Sequence, residues 1–151
     1  MWFSRKQGVR SATAAEAASG KSVTGQVTTK SRGDAAEAAA LHHLQQAGLT
    51  LVEANYRTPG RGGGEIDLIL RARDGTLVFV EVRQRASQSH GGAAASIGAV
   101  KQQRIIFAAR HYLMRFASLP PCRFDVVLVE GALQAGDPAR IEWVQGAFDA
   151  S

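Results

Sequence analysis

Cysteine is almost missing from this chain: Cys122 stands alone among 151 residues, which excludes an internal disulfide and any zinc site built on cysteines. A reducing, cytoplasmic setting is the expectation. Long apolar runs are missing too. No window reaches the length of a bilayer span and the N-terminal stretch has no apolar signal core, so neither membrane insertion nor export is expected. Acidic residues are the minority, 13 against 18 basic, for a formal charge of +5. That excess is unevenly spread. Residues 1–30 hold Arg5, Lys6, Arg10, Lys21 and Lys30 against Glu16 alone, a net of +4 that leaves +1 for residues 31–151. The basic segment is rich in Ala, Ser, Thr and Gly without hydrophobic periodicity, which predicts a disordered tail over 1–30 and one domain over 31–149. The global charge is therefore weak support for a nucleic-acid partner of the folded part.

What remains is 45% hydrophobic, enough for a respectable core. Its spacing predicts a helix from about Asp34 to Ala47, where alanine is abundant and Gly48 is placed to end it. A strand follows over Leu49 to Arg57. The run Pro59-Gly60-Arg61-Gly62-Gly63-Gly64 predicts a mobile, turn-rich loop. Two apolar strands come next, then a flexible connection at Gly91-Gly92. Ile97, Val100, Ile105, Ala108, Tyr112 and Leu113 recur at helical spacing. Strands over Arg123 to Glu130 and Ile141 to Phe148 complete an α-β-β-β-α-β-β order. Because the central strands are apolar on both faces, helices should cover both sides of the sheet, an α/β sandwich.

The most informative residues interrupt those central strands. Gly64-Glu65-Ile66-Asp67-Leu68-Ile69-Leu70 and Leu77-Val78-Phe79-Val80-Glu81-Val82-Arg83 each carry a carboxylate where burial is expected, and a buried acid is costly without a cation. Alternation puts Phe79, Glu81, Arg83 and Arg85 on one face and the valines on the other. Whether Asp67 joins Glu81 depends on the connection. A two-residue Asp74-Gly75 turn would set Asp67 opposite Val82, on the wrong face. A three-residue loop with left-handed Gly75, or a five-residue loop, sets Asp67 opposite Glu81, close enough to share one ion. A salt bridge to Arg83 or Lys101 is the structural alternative.

Glu37 suits either a site or a capping box with Asp34. Arg57, Arg61, Arg71, Arg73, Arg85, Lys101 and Arg104 are scattered in sequence, and clustered in space they would hold phosphates. The glycine run lacks the Lys-Ser/Thr of a nucleotide P-loop. His42 and His43 are adjacent on a helix and cannot act as a ligand pair. Cys122 has no evident base, no nucleophile elbow is present, and Trp143 and Phe148 read as core.

Gly33 with Glu37, Asn55-Tyr56-Arg57, the two acid strands, Lys101-Gln102-Gln103-Arg104, Arg123-Phe124-Asp125 and Ala147-Phe148 together resemble the bacterial YraN family, the UPF0102 group, over nearly all of residues 31–149. That family looks like a relative of the Holliday junction resolvases. The resemblance implies a restriction-endonuclease-like α-β-β-β-α-β core, a mixed sheet covered by helices on both faces, and a PD-(D/E)xK site. It further implies that Asp67 and Glu81 are ligands of Mg²⁺ or Mn²⁺, with Glu37 as a third acid from the helix and the Val82 carbonyl completing the site, and that Arg83 stands where relatives usually carry lysine. The resulting expectation is a metal-dependent phosphodiesterase acting on DNA, branched or structured DNA included, with Arg57, Arg61, Arg85, Lys101 and Arg104 on the nucleic acid. A binding module of the same fold that no longer cuts is the rival expectation, and a homodimer is left open.

Overall fold

Two helices sandwich a five-stranded mixed sheet in the computed structural model, which describes residues 29–85, 97–130 and 140–150, with side chains described from Gly33 onward apart from Arg85. The elements are α1 (Thr29–Gln46), β1 (Thr50–Arg57), β2 (Glu65–Arg71), β3 (Leu77–Arg85), α2 (Ala99–Leu113), β4 (Cys122–Glu130) and β5 (Arg140–Phe148). Strand order in space equals strand order in sequence. β1, β2 and β3 form an antiparallel meander, β4 joins β3 in parallel and β5 returns antiparallel. A parallel pair needs a long crossover, and α2 supplies it. The expected α-β-β-β-α-β-β order is the one observed. The Gly91-Gly92 connection lies outside the described residues, as does the 1–30 tail apart from its last two residues, which begin α1.

One boundary moves. α1 begins at Thr29, so Gly33 and Asp34 lie inside the helix, and Glu37 is two turns from its start. The capping-box reading of Asp34 and Glu37 therefore falls. A glycine costs an exposed helix only about 1 kcal/mol, and nothing within 4 Å of Gly33 constrains it, so it does not break the helix.

The sheet separates two apolar layers, as alternation requires. Ala36, Ala40 and Leu44 of α1 pack with Leu68, Leu70, Val78, Val80, Val127 and Val129 on one face. Ile105, Ile106, Ala108, Ala109 and Tyr112 of α2 pack with Ile69, Phe79, Phe124, Val126 and Leu128 on the other. On the α2 side the layer is aromatic. Phe79 stacks on Phe124, which stacks on Phe148, with ring centroids 5.5 Å and 4.9 Å apart.

One acid is built into the α1 layer. Asp125 is fully buried, yet its carboxylate accepts from Arg123 Nε at 3.0 Å, Trp143 Nε1 at 2.8 Å and the Gly146 N–H at 3.0 Å. Each oxygen is satisfied, so the charge needs no ligand. His43 meets the edge of Trp143 at 6.3 Å and so is half-covered rather than solvent-facing.

Candidate acidic site on the second and third strands

The connection between β2 and β3 decides which side chains meet. Leu68 pairs with Val80, Ile69 with Phe79, Leu70 with Val78 and Arg71 with Leu77. The Ala72 N–H donates to the Thr76 carbonyl at 2.8 Å, which closes a loop of Arg73, Asp74 and Gly75. Gly75 has φ of +94°, a conformation that glycine adopts without steric cost. This is the odd-length loop, and the register it sets carries Asp67 to the level of Glu81 on the α2 face.

At that level the ladder gives way to side-chain chemistry. The Val82 N–H donates to Asp67 Oδ2 at 2.8 Å, which fixes the carboxylate against the neighbouring strand. Glu81 is 9% exposed and meets Lys101 Nζ of α2 at 3.4 Å. Burial, and after it the charge of Asp67, pushes Glu81 up to about 7 in spite of Lys101. Asp67 is raised as well, chiefly by burial, against the Val82 N–H, a hydrogen bond with Glu81 and the pull of Lys101. Two carboxyls thus share one lysine and one hydrogen bond. The salt-bridge alternative exists in Lys101, and two close like charges resist joint ionisation.

Glu37 approaches from α1, the helix on the other face of the sheet. Its carboxyl is raised by burial and then by the charge of Asp67, and is held by a hydrogen bond from the Asn55 side chain. Asn55 has φ of +55°, a left-handed state that Asn tolerates, and lies between the pairs Ala54 with Leu68 and Tyr56 with Ile66. This puts it level with Asp67. Among the described residues no three His, Cys, Asp or Glu side chains stand close enough to enclose a metal together. The immediate donor set is therefore Asp67 and Glu81, with Glu37 held by Asn55 and coupled to Asp67 through charge.

Arg83 follows Glu81 on the same face and is half-buried. Lys101, expected on the nucleic acid or, in the structural alternative, in a salt bridge to the acids, is found on Glu81. Arg57 and Arg104 flank the glycine loop, Arg61 is exposed on it, and the Arg85 side chain lies outside the described residues.

The titration has a sign. Glu81 in the folded chain binds its proton more tightly than in the unfolded chain, so its contribution to stability is complete below about pH 4.5 and is lost as pH rises towards 7. The metal-free protein is expected to be less stable at pH 7.5 than at pH 5, by on the order of 3 kcal/mol from this group. Glu81→Gln should flatten that slope in urea unfolding. An unchanged slope would show that the pair is not under the strain described.

The donor set suits a hard divalent cation. Oxygen ligands from one or two carboxylates are what Mg²⁺ accepts, and a dication between Asp67 and Glu81 would remove their repulsion. The comparisons with known proteins agree on kinship. The profile of a family described as "Uncharacterised protein family UPF0102" matches residues 36–129. A UPF0102 protein of Polaromonas naphthalenivorans (strain CJ2) is 71% identical over 153 aligned positions, covering all of both chains. A UPF0102 protein of Methylibium petroleiphilum is 64% identical over 128 positions, 83% of this chain and 99% of its own. By profile and by end-to-end identity, this chain belongs to the UPF0102 family.

Proposed function

We propose that the protein is a Mg²⁺- or Mn²⁺-dependent phosphodiesterase acting on DNA in the reducing cytoplasm, with the fold used as a restriction-endonuclease-like scaffold. The observation that carries the reading is the Asp67 and Glu81 pair, two adjacent carboxyls raised by burial and served by one lysine. A structural ion pair would be balanced, as Asp125 is. When bound, the divalent ion supplies Lewis acidity, lowering the pKa of a water and withdrawing charge from the phosphodiester.

The chain's own residues do the rest. Asp67 is held in position by the Val82 N–H, so no reorganisation is needed when it takes a ligand. Lys101, once Glu81 is engaged elsewhere, is left beside the reacting phosphate as a compact positive charge. Arg83 adds a second cation on the same face and stabilises charge that grows on the phosphoryl oxygens. Glu37, held by Asn55, adds a third carboxyl that interacts with Asp67 through charge.

The rival is a DNA-binding module of the same fold that does not cut. The two separate on a panel of linear, single-stranded, flapped and branched DNA incubated with the purified chain in Mg²⁺ and in Mn²⁺. Divalent-dependent cleavage of at least one substrate is expected, and structured DNA is the favoured one. Background activity throughout with binding intact would end the nuclease reading and leave the module.

A further inference from the structure

The loop between β1 and β2 is not the mobile connection its glycines suggest. A Cβ at Gly63 would overlap the Thr58 hydroxyl, and one at Gly64 would overlap the carbonyl oxygen of Arg104, so the loop backbone lies directly on α2. It is pinned there. The Thr58 N–H donates to the Gly64 carbonyl at 3.1 Å, the Gly64 N–H donates to buried Thr58 Oγ1 at 2.9 Å, and the Arg104 guanidinium donates to the Gly63 carbonyl at 3.2 Å. Gly60 and Gly62 have φ of +85° and +68° with Arg61 in the negative half between them. Both glycines adopt a backbone state that carries no steric cost only without a Cβ.

The loop borders a polar cleft of about 170 Å³, walled also by Arg57, Glu65 and Arg104. Small-molecule pockets run to roughly 300–1,000 Å³, so this one suits a compact anionic group and not a base or a whole nucleotide. Its charge is two guanidiniums against one carboxylate. Glu65 holds Arg57 at 3.3 Å in an exposed pair, a contact worth little and readily exchanged. Glu65 also sits two residues before Asp67 on β2, about 7 Å along the strand, and its charge is felt there. The cleft therefore adjoins the acidic pair.

We propose that this cleft is a subsite for one phosphate of a DNA strand, adjacent to the phosphate presented to Asp67 and Glu81, with Arg57 exchanging Glu65 for the phosphate and Arg104 tying the loop to it. The assignment of a DNA strand rests on the reading of the acidic pair as a DNA site. Arg57 and Arg104 then fix register and carry no sequence information.

The test needs no cleavage. Anisotropy of a labelled oligodeoxynucleotide is titrated with the full chain in EDTA over a salt series, for wild type, Arg57→Gln, Arg104→Gln, the double variant and a control, Arg140→Gln, on the far edge strand. Each cleft variant is expected to weaken binding about 3- to 10-fold for every sequence tried and to reduce the salt slope by about one, with the control unchanged. Arg104→Gln also removes a loop contact, so Arg57→Gln, whose side chain takes no part in that contact, carries the decision. Wild-type affinity and slope in Arg57→Gln would overturn the proposal. Inorganic phosphate bound as tightly as the oligonucleotide, without dependence on strand length, would make the cleft a free-anion site and overturn it too. A chain that binds through Arg57 but never cuts removes the nuclease and keeps the cleft. One that cuts, and whose Arg57→Gln variant binds DNA no worse, does the reverse.

Discussion

Asp67→Asn is expected to reduce Mn²⁺-dependent cleavage of DNA by at least about 100-fold while leaving the protein folded, because it removes charge from the ion's site and little else. The amide oxygen of Asn still accepts the Val82 N–H, so the strand pairing that Asp67 Oδ2 now supports at 2.8 Å survives. Losing the charge also relieves Glu81, whose proton affinity is raised by Asp67. The variant should therefore melt at or above the wild-type temperature at pH 7.5 without metal, and should bind Mn²⁺ more weakly by calorimetry. Lys101→Met separates cation from ligand: cleavage should drop while Mn²⁺ binding holds or tightens, since Lys101 competes for Glu81 at 3.4 Å. Arg83→Lys should preserve stability and raise cleavage, an ammonium being more compact than a guanidinium fork. Cleavage by Asp67→Asn at the wild-type rate would remove Asp67 from any catalytic role.

Much of this arrangement is readable in the chain because it depends on short-range rules. The meeting of Asp67 and Glu81 follows from loop length alone. Only an odd connection keeps both on one face, and Gly75 is the residue that makes a three-residue loop cheap. The two-sided burial of the central strands follows from their apolar runs. What was not legible has a common cause, which is partners that are remote in sequence. The tight seat of Gly63 and Gly64 depends on Thr58 and on the Arg104 carbonyl, so a run of glycines reads as flexibility when it answers a demand for space. The extra residue in β1 between Leu51 and Glu53 and the left-handed Asn55 have no signal in local composition. Asp125 did carry the signal that marked the acid pair, a carboxylate in an apolar strand. The sequence says that such an acid needs a partner, and not whether the partner is protein or ligand.

Asp125→Ala is expected to cost about 3–5 kcal/mol, the range for removing one member of a buried charged network. The loss is larger than that of a typical hydrogen bond because the variant strands donors instead of deleting a pair. Trp143 Nε1 and the Gly146 N–H, 18 and 21 residues away on β5, lose the acceptor that holds that edge strand in place, and the half-buried Arg123 guanidinium loses its counter-charge. Asp125→Asn should fall between, since the amide oxygen keeps Arg123, which reaches either oxygen, and one of Gly146 or Trp143, while its NH₂ cannot accept from the other. The measurement is urea unfolding at pH 7.5 with Mn²⁺ affinity followed in parallel. Val80 pairs with Asp125 across the parallel ladder and belongs to the α1 layer, so Asp125 and Glu81 point to opposite faces of the sheet. Stability should therefore fall with Mn²⁺ affinity in the folded fraction unchanged. A loss below about 1 kcal/mol, the worth of one ordinary hydrogen bond, would mean that β5 does not depend on this carboxylate. The contrast is chemical: Asp125 has an arginine and two neutral donors for its two oxygens, whereas Asp67 and Glu81 lie close enough for each charge to raise the burden on the other, and on the proposed reading it is the second arrangement that takes up a cation.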